Sequence, residues 1–233
     1  MKKLLLALLL LAVIACQKNT QNLTVKGEIK GLKKGTLYLE REQDSALVVI
    51  DSIVLNGISN FQLQTALEAP EALSLRLDKN SPNTPDERLL FFADKGITEI
   101  NTSLKNFAVD AEIKGSKQHV LYEQYLKVIG RFNDKKLELY KEKIEAIQSG
   151  DSAKIAQNQE AFNKLLKSRY LYTVNFAVTN NDSEVSPYLA LTEIYDAQPK
   201  WLDTISNALT PSVKASKYGK MLDKHIAEQK KRP

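Results

Sequence analysis

Apolar and polar residues alternate through the first half of the chain. Val25, Gly27 and Ile29 alternate with Lys26 and Glu28, Phe61 and Leu63 with Gln62 and Gln64, and Leu73, Leu75 and Leu77 with Ser74 and Arg76. A period of two sends successive side chains to opposite faces of an extended chain, so these segments predict half-buried strands. The spacing predicts strands at about 23–30, 36–42, 46–55, 58–65, 71–78, 88–94, 97–102 and 109–114. Turn residues separate them at Lys34-Gly35, Asn56-Gly57, Asn80 to Pro85 and Lys95-Gly96. Asn56-Gly57 has the residue types of a two-residue hairpin, which needs positive φ. With no helix between the strands, the pattern predicts an antiparallel β-sandwich or open barrel over residues 23–115 and disfavours a parallel nucleotide-binding sheet.

At Gly115-Ser116 the period lengthens toward 3.6, with Ser116 placed as an N-cap. Leu121, Tyr125, Ile129 and Phe132 form one stripe, and Leu137, Tyr140, Ile144 and Ile147 continue it after a phase adjustment near Asn133-Asp134. Ser149-Gly150 turns the chain, and Asp151 or Ser152 can cap a second long helix carrying Ile155, Phe162, Leu165, Leu166, Tyr170 and Val174. A long helical hairpin is expected. Asn180 to Ser186 reads as a loop, and Pro187, Pro199 and Pro211 fit first-turn positions of shorter helices, the last two near 198–208 and 211–229. The expected class is α+β, with the sheet domain followed by an all-helical region over residues 116–233.

Composition narrows the chemistry. The 233 residues are 43% hydrophobic, enough for one large or two modest cores. The basic residues are interspersed with acidic ones, the dense run being the terminal Lys230-Lys231-Arg232, so no nucleic-acid partner is expected. Cys16 is the single cysteine, which removes disulfides, CxxC redox chemistry and thiolate metal sites together once it is otherwise committed.

That commitment is legible at the amino terminus. Lys2 and Lys3 precede an apolar run from Leu4 to Ile14 that is too short to span a bilayer, and Val13-Ile14-Ala15 stands directly before Cys16. This resembles a bacterial lipoprotein signal, which implies that residues 1–15 are removed and that Cys16 is lipidated and anchors the protein to a membrane. Several acyl chains on one residue make such attachment durable. Residues 16–22 are polar and read as a tether. Loss of Lys2 and Lys3 lowers the formal charge from +5 to +3. With no acidic residue directly after Cys16, the expected location is the periplasmic face of the outer membrane.

Several short motifs occur in a particular order: Val25-Lys-Gly-Glu-Ile-Lys-Gly31, Thr36-Leu-Tyr-Leu39, Ile50-Asp51-Ser52, Asn56-Gly57 before Phe61, and Ile113-Lys-Gly115-Ser116. They resemble the domain of unknown function that precedes thioredoxin-like domains in Bacteroidota lipoproteins. Ser186-Pro-Tyr-Leu189 and Ser216-Lys-Tyr-Gly-Lys220 fit the helical stretch that follows it. The resemblance implies a separate thioredoxin-like protein as partner. It transfers no redox activity, because the chain lacks the CxxC pair.

Candidate side chains point mostly to structure. Asp51-Ser52 lies in an apolar strand with no histidine nearby in sequence, and such side chains can bond the backbone at a bulge or sheet edge. His119 and His225 lack ligand spacing and read as surface or interface packing, so neither metal nor cofactor is expected. Glu40, Glu42, Asp44, Glu138, Glu142 and Glu145 read as a charged strand rim and a solvated helix face. Gly27, Gly31 and Gly35 read as strand ends and turns. Four Asp-Ser/Thr-aliphatic tripeptides resemble a Bacteroidota O-glycosylation acceptor; Ser152 at the helical turn is the best placed, Thr204 and Ser45 follow, and Ser52 is the worst. The expectation is therefore a tethered, non-catalytic binding or interaction module. A second class is an envelope hydrolase, acting on glycan or peptide through carboxylates in a groove between sandwich and helices.

Overall fold

The computed structural model describes residues 21–43, 46–79 and 85–231. Cys16, the lipoprotein signal and Ser45 lie outside the described residues. The strands are β1 (Leu23–Lys30), β2 (Lys34–Gln43), β3 (Ala46–Asn56), β4 (Asn60–Thr65), β5 (Glu71–Asp78), β6 (Glu87–Ala93), β7 (Gly96–Ser103) and β8 (Glu112–Lys114). They form two four-stranded sheets, ordered β4-β1-β7-β8 and β3-β2-β5-β6. Between the sheets lie Val25, Ile29, Leu63 and Ile100 from one and Leu37, Leu39, Leu73, Leu75 and Leu77 from the other, all buried. The result is sandwich-like and not a closed barrel.

The topology departs from a simple meander. β1 and β7 pair in parallel, from Leu23 opposite Gly96 to Lys30 opposite Ser103. Asn56-Gly57 does not make a hairpin, because β3 and β4 belong to different sheets. The three residues 57–59 carry the chain across the sandwich instead, and Gly57, at φ +81°, donates its N–H to the Lys33 carbonyl. Gly27 is neither a strand end nor a turn: it lies inside β1, where a Cβ would sit 1.7 Å from the Ile100 carbonyl oxygen. Asn22, assigned to the tether by sequence, is held to the sandwich through both ends of its amide, which bond the backbone of Leu67 at 2.8 and 2.9 Å.

The helices are α1 (Lys117–Gln148), α2 (Ser152–Thr179), α3 (Val185–Thr192), α4 (Pro199–Ala208), α5 (Pro211–Lys214) and α6 (Lys217–Gln229). Ser116 caps α1 by accepting the His119 N–H at 2.9 Å, and the Asp94 carboxylate accepts that of Lys117 at 2.6 Å. Asp151 caps α2 by accepting the Lys154 N–H at 3.0 Å. The helix expected over 211–229 is broken, because Ser216 restarts it and a Cβ at Gly219 would meet the Val213 carbonyl oxygen at 2.2 Å.

α1 and α2 form the expected hairpin, with a different buried face. Tyr122, Tyr125, Ile129, Leu139 and Ala146 are the buried apolar residues of α1, whereas Leu137, Tyr140, Ile144 and Ile147 are exposed. α1 runs unbroken through Asn133-Asp134. Its inner face therefore runs on through Phe132, Leu139 and Ala146, each seven residues from the last. The apolar pattern changed phase, and the helix did not.

Candidate functional site at the sandwich–helix junction

The helical region docks on the outer face of the second sheet, at one end of β5 and β6. Ala72 and Phe92 pack there against Tyr122, Tyr125, Val185, Tyr188, Leu189 and Tyr218. The rings meet edge-on, Phe92 to Tyr188 at 5.0 Å and Tyr188 to Tyr218 at 5.3 Å between centroids. Edge-to-face geometry sets the positive ring edge against the negative face, adding attraction to the burial itself. With both its faces covered, β5 is buried continuously from Glu71 to Leu75.

Polar groups fix the register of this joint. The Ala72 N–H donates to the Tyr218 hydroxyl at 3.0 Å, and the Phe92 N–H donates to His119 Nδ1 at 3.3 Å. Burial pushes the His119 imidazole below its ordinary pKa, against the opposing pull of Glu123 3.4 Å away. Nδ1 acts as an acceptor, so the ring is neutral and its Nε2–H faces Glu123. Burial also pushes the Tyr122 phenol up to about 12.

Beside the aromatic joint opens a cleft of about 1560 Å³, lined from the sheet side by Arg41, Glu71 and Asp94 and from the helical side by Glu184, Ser216 and Lys217. Glu71 bonds Arg41 Nε at 2.8 Å and Lys217 Nζ at 2.5 Å. Lys217 also donates to the Glu42 carbonyl, and Arg41 to that of Ala66, both at 2.8 Å. Glu184 accepts a hydrogen bond from the Ser216 hydroxyl at 2.6 Å, while burial holds its carboxyl pKa above the usual range. A doubly paired carboxylate and a carboxyl biased toward its neutral form thus lie on either side of Ser216-Lys217.

Of the side chains selected from the sequence, Glu42 and His225 line this cleft, whereas Asp51, Ser52, Ser152 and Thr204 lie away from it. Asp51 lies on β3, where it accepts the N–H of Ser52 at 2.8 Å and that of Gln64 on β4 at 2.7 Å. The register of β2 against β3 slips beside it, with Leu39 opposite Asp51 and Glu40 opposite Val49, so Ile50 is the extra residue of a bulge. The carboxylate joins edge strands of the two sheets. Ser52 is exposed, contrary to its low ranking as an acceptor site. Ser152 is exposed at the hairpin turn, and Thr204 is exposed with its hydroxyl donating to the Lys200 carbonyl at 2.8 Å. Gly115, at φ +93°, brings its backbone so close to β7 that a Cβ would lie 2.0 Å from the Ile97 carbonyl oxygen, and it feeds Ser116 into α1.

Glu40 is a further correction. It is 2% exposed and bonds Arg76 at 2.5 Å and Arg88 at 3.2 Å, with Arg76 stacked 3.9 Å from the Tyr38 ring centroid. Flanking arginines on β5 and β6 turn an expected rim charge into a buried ion network. Glu71, Glu184, Arg41 and Lys217 escaped sequence reasoning because their contacts span up to 175 residues and no local spacing marks them. The available signal was Ser216-Lys-Tyr-Gly, since Ser216 bonds Glu184, Lys217 bonds Glu71, Tyr218 bonds β5 and Gly219 permits close packing.

Among the described residues no helix is long and apolar enough to cross a membrane. No curated protein matches the chain. Residues 23–122, which cover the sandwich and the start of α1, match the model of a family described as Domain of unknown function (DUF4369).

Proposed function

We propose that this chain is a non-catalytic interaction module of the bacterial cell envelope, tethered through lipid on Cys16 at the periplasmic face of the outer membrane. Its partner is a protein, and the motif resemblance favours a separate thioredoxin-like one. The observation that carries the reading is the joint. Ser216, Lys217 and Tyr218, three successive residues, engage Glu184, Glu71 and the backbone of Ala72. The Lys217 and Tyr218 bonds set sandwich and helices in one fixed arrangement, and the Ser216 bond to Glu184 braces the helical side of the cleft. A fixed scaffold that displays a long helical hairpin suits binding, because pre-ordered surfaces lose little entropy on association.

Crosslinking and affinity capture from native membranes test this with wild type and Cys16→Ala. Wild type is expected in the membrane fraction crosslinked to a defined protein, and the variant in the soluble fraction. A native protein that keeps a free thiol at Cys16 and stays soluble overturns the tether. Absence of a specific partner in both samples overturns the interaction.

The raised pKa of Glu184 in the cleft favours a second reading, a hydrolase with Glu184 as proton donor. Measurable turnover of envelope glycan or peptide, lost in Glu184→Gln with the fold retained, would replace the first reading by this one.

A further inference from the structure

The out-of-phase residues of α1 form a surface of their own. Leu137, Tyr140, Ile144 and Ile147 are 56%, 45%, 56% and 56% exposed. Their spacing of three, four and three residues is the a/d pattern of a coiled-coil seam, and at 3.6 residues per turn it fits within roughly 80° of the helix circumference. The open apolar area is on the order of 400 Å², in the range of the largest patch on a typical monomer, which is often functional. Tyr140 extends the surface toward α2, its ring 5.6 Å from that of Phe162. Beside it lies a hollow of about 50 Å³ bounded by Phe132, Lys136, Phe162 and Leu166.

The flanks say what can cover this seam. Within residues 136–148, the e and g positions are Lys136, Lys141, Lys143 and Gln148. A second copy on the same seam would set lysine against lysine in either orientation, whether e faces g or each faces its own kind. A lipid surface is also a poor match, because a strict a/d stripe is narrower than a lipid-facing one and Glu138, Glu142 and Glu145 lie on the same turns. Opposite charge at the flanking positions satisfies the lysines.

We propose that the distal half of α1 is a docking seam for an acidic amphipathic helix of a partner protein, with apolar residues at its own a and d positions and Glu or Asp at e and g. The occupant spans about three turns, matching the roughly 15 Å from Leu137 to Ile147 at 1.5 Å per residue. This rests on the reading of the chain as an interaction module and names the partner's chemistry.

The probe is a labelled three-heptad peptide with Leu at a and d and Glu at e and g, compared with its Lys-flanked counterpart by fluorescence anisotropy against the purified protein. Saturable binding of the Glu peptide alone is expected. Leu137→Gln/Ile144→Gln should weaken it roughly tenfold or more, as central apolar anchors do, and Lys136→Glu/Lys141→Glu/Lys143→Glu should transfer preference to the Lys peptide. Leu137, Ile144, Lys136 and Lys141 are exposed and Lys143 is half-buried, and unchanged helicity by circular dichroism verifies that the variants fold. No binding, or equal binding of both peptides, overturns the proposal. So does a wild-type dimer in sedimentation that the Leu137/Ile144 variant abolishes, which makes a second copy the occupant, or variant-sensitive binding to phosphatidylglycerol vesicles without peptide binding, which makes it a membrane. If native crosslinking still finds a partner, with contacts mapped away from α1, the interaction reading stands and the seam falls.

Discussion

Tyr218→Phe isolates the bond that locks the helical region to the sandwich. The substitution keeps the ring contacts with Tyr188 and Phe92, at 5.3 and 6.4 Å between centroids, and deletes one oxygen. That oxygen accepts the Ala72 N–H at 3.0 Å where Tyr218 and Ala72 are 4% and 7% exposed. With water excluded, the stranded donor costs about 1–3 kcal/mol. For a chain of this length each kcal/mol lowers Tm by about 2–4 °C, so the variant should melt about 2–12 °C below wild type. Urea and thermal unfolding can be followed by far-ultraviolet circular dichroism and by fluorescence of Trp201, the single tryptophan, which lies in α4. Tyr140→Phe is the control, because at a residue 45% exposed the change should leave stability within about 0.5 kcal/mol. A Tyr218→Phe loss as small as the control's would refute the assignment of this bond as a lock.

Gly115→Ala should lose at least about 2 kcal/mol in urea unfolding, since the residue combines positive φ with a Cβ position 2.0 Å from the Ile97 oxygen; a near-neutral variant would contradict that close approach. Asp51→Ala should cost about 1–2 kcal/mol by stranding the Ser52 and Gln64 donors, while Ser52→Ala, exposed on β3, should be neutral, and the reverse ranking would discredit the carboxylate bridge. For His119 the unfolded chain takes up a proton before the folded one, because burial lowers the folded pKa. Its stabilising contribution is thus complete above about pH 6.5 and is lost as pH falls from there toward the depressed folded value. Stability measured from about pH 7 down to pH 5 should fall more steeply in wild type than in His119→Gln, and equal slopes would remove His119 as the cause.

Strands were legible because each needs only a local period of two, which β1, β4 and β5 carry plainly. Which sheet a strand joins was not, because that depends on where the chain crosses the sandwich. Asn56-Gly57 illustrates the limit: the pair supplies a positive φ at Gly57, and positive φ serves a crossing as well as a hairpin. The joint was illegible for a related reason. Lys217 meets Glu71 across 146 residues, and a charge on a helix face looks solvated until its partner is placed.

The second half of α1 shows how much a sequence pattern can hold when it conflicts with the fold. An apolar stripe reads as a core face, and a change of phase reads as a bend that keeps that face inward. The backbone at Asn133-Asp134 stays helical, so no bend rescues the phase, and Leu139 and Ala146 take the inner positions. Small Ala146 and the short contact of the buried Asn158 amide with the Leu139 carbonyl, at 2.9 Å, let α2 lie close, with Leu139 the one large apolar side chain buried on this half of α1. Leu137, Ile144 and Ile147 are then surplus to the hairpin's own packing, while Tyr140, 45% exposed, reaches α2 at the Phe162 ring. Four apolar residues kept in heptad register on the outside, and bordered by lysine, are accounted for by a partner helix and not by the monomer's core.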